Sequence, residues 1–565
     1  MFKPRWHKIA ISSLFLAFSG PAISLDARQW HEDLDYLAQN LATRHANPWD
    51  RVHQRVFIED VTALKGRIHE LSDAEITIEL MRLAASFRDG HTKLVPTGDS
   101  GFRHWFPLRF HQFRDGIYLT SIPADATHLR GMRVVRINGH DAQQVMQQVT
   151  ALFGADNRFG RKSFAFLVSN ADLLKGLRII GPETRLELQL VDDEGNVTEW
   201  STTRLHENTG MDFRFWGEYF GPAETDSISA YGGEALNFLT TRDPGRPLHL
   251  RNRNAYNWEW LEQDNTVYFQ LNAMSEQSSQ SDQSLFETWH EALAKSRSTP
   301  GGADRFILDL RYNFGGDGSL SHRLVSEFIR GYPRALEQGR VFVITGGATF
   351  SAGVMLAEEM LNHVPALLVG EPMGAPYNMY GDAEAFFLPN SGYQVDISRR
   401  YWQLSLSDDF NPFVPVQIPA ELSGAEYFSG KDPAVEQVLA APVPYPTLDV
   451  ILEAHGSEAA TRAYREQKDK WGALDYWQPV GRMDLEHVAD RLIEQGRLDE
   501  AITAYRMNTW IFPDDWDTWD DLGQVCVEAE QHDCVREGYE RALQLNPSNW
   551  NAGEQKEALK DIGPE

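Results

Sequence analysis

Phe306-Ile307-Leu308-Asp309-Leu310-Arg311-Tyr312-Asn313-Phe314-Gly315-Gly316 is an apolar run of strand length that stops at a pair of glycines. Its continuous apolar character fits a strand buried on both faces, and the glycines free the backbone to turn with its N–H groups exposed. Some distance on, Val341-Phe342-Val343-Ile344-Thr345 reads as a second buried strand. It leads through Gly346-Gly347-Ala348-Thr349-Phe350-Ser351-Ala352-Gly353 into a helical pattern, Val354 to Leu361. Ser351 therefore falls at a strand-to-helix turn, where a hydroxyl can be presented beside N–H groups that would face a developing oxyanion. The competing reading is structural: a serine in this place is commonly an N-cap that accepts from a backbone N–H two or three residues on.

Working outward, Ala366 to Val369 and Val395 to Ser398 read as further strands, and Lys431 to Leu439 as a closing helix, an alternation that indicates an α/β core. Upstream, Val267 to Leu271 is a strand and Phe286 to Ala294 an amphipathic helix; residues 203 to 262 lack a period and read as a long insertion or rim loop. Residues 25 to 88 read as helices: Leu34, Leu37, Leu41 and then Phe57, Val61, Leu64, Ile68 and Leu71 recur at steps of three and four, and Ser72 with Glu75 forms a capping-box pattern. The helices end at Arg88-Asp89-Gly90-His91-Thr92, which places His91 in a turn before a short strand. Short strands follow at Phe106 to Phe110, Ile117 to Ile122 and Arg133 to Ile137, then a helix from Ala142 to Val149.

The order and spacing of these segments resemble the S41 serine peptidases, the tail-specific and tricorn-core group. The resemblance rests on Asp309-Leu310-Arg311-Tyr312-Asn313-Phe314-Gly315-Gly316 followed by Thr349-Phe350-Ser351-Ala352. It extends to Val369-Gly370-Glu371-Pro372-Met373-Gly374, to Phe387-Leu388-Pro389-Asn390-Ser391-Gly392, and upstream to Asp89-Gly90-His91-Thr92, covering roughly residues 30 to 440. It implies an α/β multidomain chain with a ClpP/crotonase-like αβ core, an N-terminal helical bundle and, over Gly131 to Val149, a module similar to a PDZ domain. It also implies a peptide or protein substrate and Ser351 as nucleophile. The position where the tail-specific branch carries its lysine is Pro376, and no lysine lies between Ser351 and Lys431. The tricorn-like branch instead uses a histidine in the place of His91, whose pKa near 6.5 suits proton uptake and return at neutral pH. His322 and His363, the alternatives, lie in helical surroundings. Asp409 falls near the place of the third, orienting group, although the residues around it depart from the family pattern. For the oxyanion hole the resemblance points to backbone N–H of Gly315 or Gly316 together with Ala352.

The tail repeats: Tyr505 and Tyr539, Pro513 and Pro547, and Val488 and Leu522 each keep one step of 34 residues, and these segments resemble tetratricopeptide repeats. Two units are fewer than usually fold alone, so the tail should dock on something, and a protein partner could be held there. The only cysteines, Cys526 and Cys534, would fall on facing helices of the second repeat, either as a disulfide or as two small core residues. The organisation expected is thus residues 1–24 a signal peptide, 25–100 the helical domain, 101–152 the PDZ-like domain, 153–440 the catalytic core, 441–480 a proline-bearing linker and 481–565 the repeats.

The whole chain has 565 residues, 42 % hydrophobic and 11 % aromatic, which is globular and too long for one core. Its 53 Lys plus Arg against 81 Asp plus Glu give a net charge of −28, which argues against nucleic acid or an anionic membrane surface as partner. The N-terminus combines Lys3, Arg5 and Lys8, an apolar run Ile9 to Phe18 and a small-residue ending near Ser24, the pattern of a secretory signal peptide that is too short to span a bilayer. Export to the periplasm or secretion is expected. Gly-x-Ser-x-Gly, His-Glu-x-x-His and cysteine-rich zinc spacings are absent, so neither a lipase-type elbow nor a metal site is indicated, and no cofactor is expected.

Overall fold

The computed structural model describes residues 25–97, 102–207, 247–251, 254–278, 281–407 and 409–563. The signal peptide expected at residues 1–24, and most of the stretch expected to form a rim insertion, lie outside them.

The strand Arg305–Asp309 sits third in a six-stranded sheet whose order is Tyr256–Leu261, Thr266–Leu271, Arg305–Asp309, Val341–Thr345, Ala366–Gly370 and Ile418–Pro419. The first pair is an antiparallel hairpin and the remaining neighbours are parallel. Period two divides each strand between two buried faces. Phe306, Leu308, Val341 and Val343 pack on the helices Leu285–Ser296, Leu320–Gly331 and Ala352–His363 through Trp289, Phe328, Val354 and Met360. Ile307, Phe342, Ile344, Leu367 and Val369 face the opposite side with Val435, Val438 and Trp471. Both faces are covered, which explains why these strands read as unbroken apolar runs. Tyr256–Leu261 is a strand of this sheet, so the end of the segment expected to be an insertion belongs to the core.

The N-terminal helices Ala27–Arg44, Gln54–Arg67 and Asp73–Ala85 bury Leu34, Leu37, Leu41, Phe57 and Leu64. The third begins at the capping box of Ser72 and Glu75. They lead to Lys93–Val95, which pairs antiparallel with Gln394–Trp402 and through it with Met379–Phe387. This small sheet corrects the expectation for Val395 to Ser398. The segment is a strand, but it closes over the N-terminal unit rather than extending the parallel sheet, because its alternate residues Val395 and Ile397 pack with the helical core.

A separate antiparallel sheet runs Arg109–Phe113, Gly116–Ser121, Arg133–Ile137, Leu186–Val191 and Val197–Thr202, with His140–Asp141 paired to its middle strand. Val134 pairs with Leu190 and Leu188 with Trp200, so the boundary expected at residue 152 is too early: the sheet is completed only at Thr202, after a helical excursion. The expected linker also differs. A helix, Leu448–Trp471, occupies most of 441–480, with a break at Gly456, whose φ is 78°. Its Leu448, Leu452 and Tyr464 are buried against the tail, and Trp471 against the core.

In the tail, Arg482–Glu494 and Leu498–Ile511 form one helix pair and Trp516–Glu528 and His532–Leu545 a second; each helix of the second begins and ends 34 residues after its counterpart. Cys526 and Cys534 are joined in a disulfide across the second pair, with Cα atoms 5.7 Å apart. Among the described residues no helix is long and apolar enough to cross a membrane.

Candidate active site

The turn after Val341–Thr345 is tied to the turn after Arg305–Asp309 by one residue. Asn313 accepts from Phe350 N through its main-chain oxygen at 2.9 Å, and its side chain donates to Leu271 O at 3.0 Å and accepts from Gly315 N at 3.0 Å. Buried completely, it joins three segments at the carboxyl edge of the parallel sheet. Ser351 follows directly, with φ 52° and ψ −121°, a left-handed conformation that costs a side-chain-bearing residue about 1–3 kcal/mol and persists only when its surroundings impose it. An N-cap takes extended backbone and accepts with its side chain; Ser351 does neither, so the capping alternative is set aside. Its Oγ lies 3.0 Å from Nε2 of His91.

His91 reaches this point from the turn between the last N-terminal helix and Lys93–Val95. Asp89 holds the turn: its Oδ1 accepts from His91 N at 2.9 Å, Thr92 N at 2.7 Å and Ser398 Oγ at 2.7 Å, and its Oδ2 lies 3.0 Å from His45 Nε2. Burial opposes its charge, yet the His45 and Ser398 hydrogen bonds keep the carboxyl down at about 2. His91 itself is pushed down to about 4, first by burial and then by the charge of Lys93, against Asp89, the Tyr380 backbone and Asp396. The ring is therefore neutral at pH 7. With the proton on Nδ1, Nε2 accepts the serine hydroxyl, the arrangement a general base requires.

The structure thus brings together two of the three residues expected for the triad and leaves out the third. Asp409 Oδ1 accepts from Asn411 N at 3.1 Å and Asn411 Nδ2 at 2.9 Å, closing a local turn instead of meeting the imidazole. His91 Nδ1 is buried and meets no side-chain acceptor among the described residues. His322 and His363 both pair with Glu359 on exposed helix surface.

The expected oxyanion donors also separate. Gly315 N–H is engaged by the Asn313 side chain, which removes it as a donor. Gly316 pairs with Met274 in a parallel bridge formed by the groups flanking it, so its own N–H points away from that partner. Ala352 opens the helix, where N–H groups have no intrahelical acceptor. What Gly315 supplies is contact: a Cβ on it would stand 2.8 Å from Ser351 Cβ and 3.1 Å from Ala352 N.

Several residues of the site were not singled out from sequence. Phe350 stacks on His91 with ring centroids 4.5 Å apart, and on Phe314 at 5.0 Å. A cavity of about 100 Å³ opens along the same sheet edge, walled by Phe110, Phe159 and Phe166 and by the charged Arg109, Arg311 and Glu371. Lys162 sits at its margin between Glu371, at 2.9 Å, and Glu421. Among the described residues no group of three His, Cys, Asp or Glu is placed to hold a metal ion.

No protein-family profile matches the sequence, and no curated protein matches it. Solved structures do. Mature CPAF complexed with lactacystin is 12 % identical over 73 % of this chain and 97 % of its own, with a TM-score of 0.48. The photosystem II D1 C-terminal processing protease is 11 % identical over 69 % of this chain and 92 % of its own, at 0.32. The tricorn protease is 12 % identical over 73 % of this chain and 36 % of its own, at 0.36.

Proposed function

We propose that the chain is a serine peptidase of S41 type that cleaves peptide bonds through an acyl-enzyme, with Ser351 as nucleophile and His91 as general base. The observation that carries this reading is the 3.0 Å approach of Ser351 Oγ to the Nε2 of a neutral, buried-side imidazole, made by a serine in a strained backbone conformation. In the reaction, Nε2 takes the hydroxyl proton as Oγ bonds to the substrate carbonyl carbon. The carbonyl oxygen becomes an oxyanion facing the Gly316 and Ala352 N–H groups, and each such donor contributes on the order of 3 kcal/mol to the transition state. Collapse breaks the C–N bond, and His91 returns the proton to the departing amine. Water then bonds to the acyl carbon as the same imidazole takes its proton; the acyl C–Oγ bond breaks, the proton returns to Ser351 Oγ and the carboxylic acid product leaves. The cavity beside Ala348, lined by aromatic rings and by Arg109, Lys162, Arg311 and Glu371, is suited to a substrate side chain. The basic and apolar N-terminal stretch supports export, and the helix pairs of the tail a partner-binding role.

A second reading has one observation in its favour. With Nδ1 lacking a carboxylate, the imidazolium formed during attack is less stabilised than in a full triad, which suits a peptide-binding protein with little turnover. Reaction of the mature protein with a fluorophosphonate probe separates the two: the peptidase reading expects labelling that Ser351→Ala and His91→Ala abolish, and the binding reading expects none while peptide binding survives His91→Ala.

A further inference from the structure

We propose that Asp156, acting with Arg51, is a positioning residue for the His91 turn and makes the alignment of His91 with Ser351 depend on pH. The proposal rests on the reading of these two residues as a catalytic pair and adds a regulatory device to that site.

Asp156 lies in the segment that returns from the antiparallel sheet's helix Ala142–Thr150 towards the core. Its side chain is fully buried. Oδ2 accepts from Gly90 N at 2.9 Å, the residue immediately before His91, and Oδ1 accepts from Arg51 Nη1 at 2.8 Å. The same Arg51 nitrogen donates to Arg88 O at 2.7 Å, and Arg88 carries φ 55°, so the carboxylate and guanidinium together fix both ends of a turn whose backbone is not relaxed. Space leaves the turn little choice. A Cβ on Gly90 would stand 2.5 Å from the Phe350 ring and 3.1 Å from Asp156 Oδ2, and one on Gly154 would meet Asp89 O at 2.1 Å. A shift of Gly90 is therefore passed to Phe350 on one side and His91 on the other.

The charges facing Asp156 come from two elements: Arg51, with Asp50 beside it, from the loop between the first two helices, and Asp89 from the turn, whose Arg88 carbonyl accepts from Arg51. Burial and the neighbouring Asp89 push the Asp156 carboxyl up to about 6, against Arg51 and the Gly90 hydrogen bond. Asp89, with three donors on one oxygen where each Asp156 oxygen has one, stays ionised throughout this range. Below pH 6 Asp156 takes a proton, the pair with Arg51 is lost and the Gly90 N–H loses its charged acceptor, while His91 is still neutral down to about 4.

Two measurements test this. The first is the rate of fluorophosphonate labelling at Ser351 against pH in the wild type, Asp156→Asn and Arg51→Gln. The expected acid limb lies near 6 in the wild type. It moves down to the limit set by His91, about 4, in Asp156→Asn, on a plateau lowered about tenfold. In Arg51→Gln, which removes the favourable cation, it moves up by about one unit. A residue that only supports the fold would not shift the limb in opposite directions in the two variants, and Arg51→Gln carries the test should Asp156→Asn not fold. The second measurement, the Gly90 amide shift in protein labelled with ¹⁵N-glycine, does not depend on hydrolysis. It is expected to titrate near pH 6 in the wild type and to be flat in Asp156→Asn. A wild-type Gly90 amide that does not move between pH 5 and 7, or limbs unchanged in both variants, overturns the proposal; a titrating Gly90 amide in a protein that never labels overturns the peptidase reading and leaves the Asp156 device standing.

Discussion

The ring of Phe350 lies flat against that of His91, at 4.5 Å between centroids and 29° between planes, so the residue preceding the serine sets the plane of the imidazole that faces it. The serine turn and the histidine turn come from segments far apart in sequence, and this stack is where they touch over a broad face. Phe350→Leu keeps much of the buried volume and removes the flat contact. We expect labelling at Ser351 to slow by about tenfold or more, because misplacement of a base by a fraction of an ångström is enough for that, while the melting temperature falls only slightly.

Gly315→Ala should be far more damaging than its size suggests. The added methyl would stand 2.8 Å from Ser351 Cβ, and φ at this position is +110°, where an L side chain is strained whatever the space. Labelling should be lost, with destabilisation of about 1–3 kcal/mol measured by denaturant unfolding. A freely labelled Gly315→Ala protein would show that Ser351 does not sit against this strand end.

Much of this was legible from residue order, and the exceptions have physical causes. The strands around Ser351 could be read because both faces are buried, so Phe306 to Leu308 and Val341 to Ile344 carry no polar interruption; the runs opening at Phe306 and Val341 are the observed strands Arg305–Asp309 and Val341–Thr345. The capping box at Ser72 is local chemistry and was equally readable. Partner strands were not. Val395 to Ser398 shows the same alternation of apolar and polar residues whichever sheet it joins, and Leu186 to Leu190 gave no sign that it would pair with Arg133–Ile137 across a helical excursion. The proline cluster before residue 447 hid the helix that follows it. At the site, Ser351 and His91 were singled out because the motifs around them resemble those of a known family, and the structure brings their side chains to 3.0 Å. Asn313, Phe350 and Asp156 act through contacts with residues distant in sequence, which a linear pattern does not record. Asp409 was chosen by position along the chain, which does not record that its carboxylate is engaged by Asn411, nor that the Gly315 N–H is taken by the side chain two residues before it.

Asp89 should mark the acid stability of the protein. Its carboxyl is held at about 2, below the ordinary 3.8, so it contributes stability that is fully present above pH 4 and is lost as pH falls through 2. The contribution is on the order of 2 kcal/mol. In urea unfolding at a series of pH values, the wild type should lose that amount between pH 4 and 2, and Asp89→Asn should be less stable at pH 7 with a flatter profile in this window. Equal slopes would mean that the carboxylate is not what the His45, Thr92 and Ser398 groups hold.

The disulfide should matter to the tail alone. Cys526 and Cys534 are 8 residues apart and join two helices of one pair. Closing so short a loop contributes about 2.5 kcal/mol in the chain-entropy picture. The double variant Cys526→Ser, Cys534→Ala should lower the unfolding transition of the helical tail, followed by proteolysis at residues beyond 480, and leave the rate of Ser351 labelling unchanged. A matching loss of labelling would indicate that the tail supports the site directly.

The central claim is that Ser351 is a nucleophile and His91 its base. The most direct measurement is fluorophosphonate labelling of the purified protein at pH 7, with the modified residue located by peptide mass analysis, in the wild type, Ser351→Ala and His91→Ala. One adduct on Ser351 is expected in the wild type and none in either variant. Labelling that persists in His91→Ala would remove His91 as the base, and a folded wild type that does not label at all would contradict the peptidase reading.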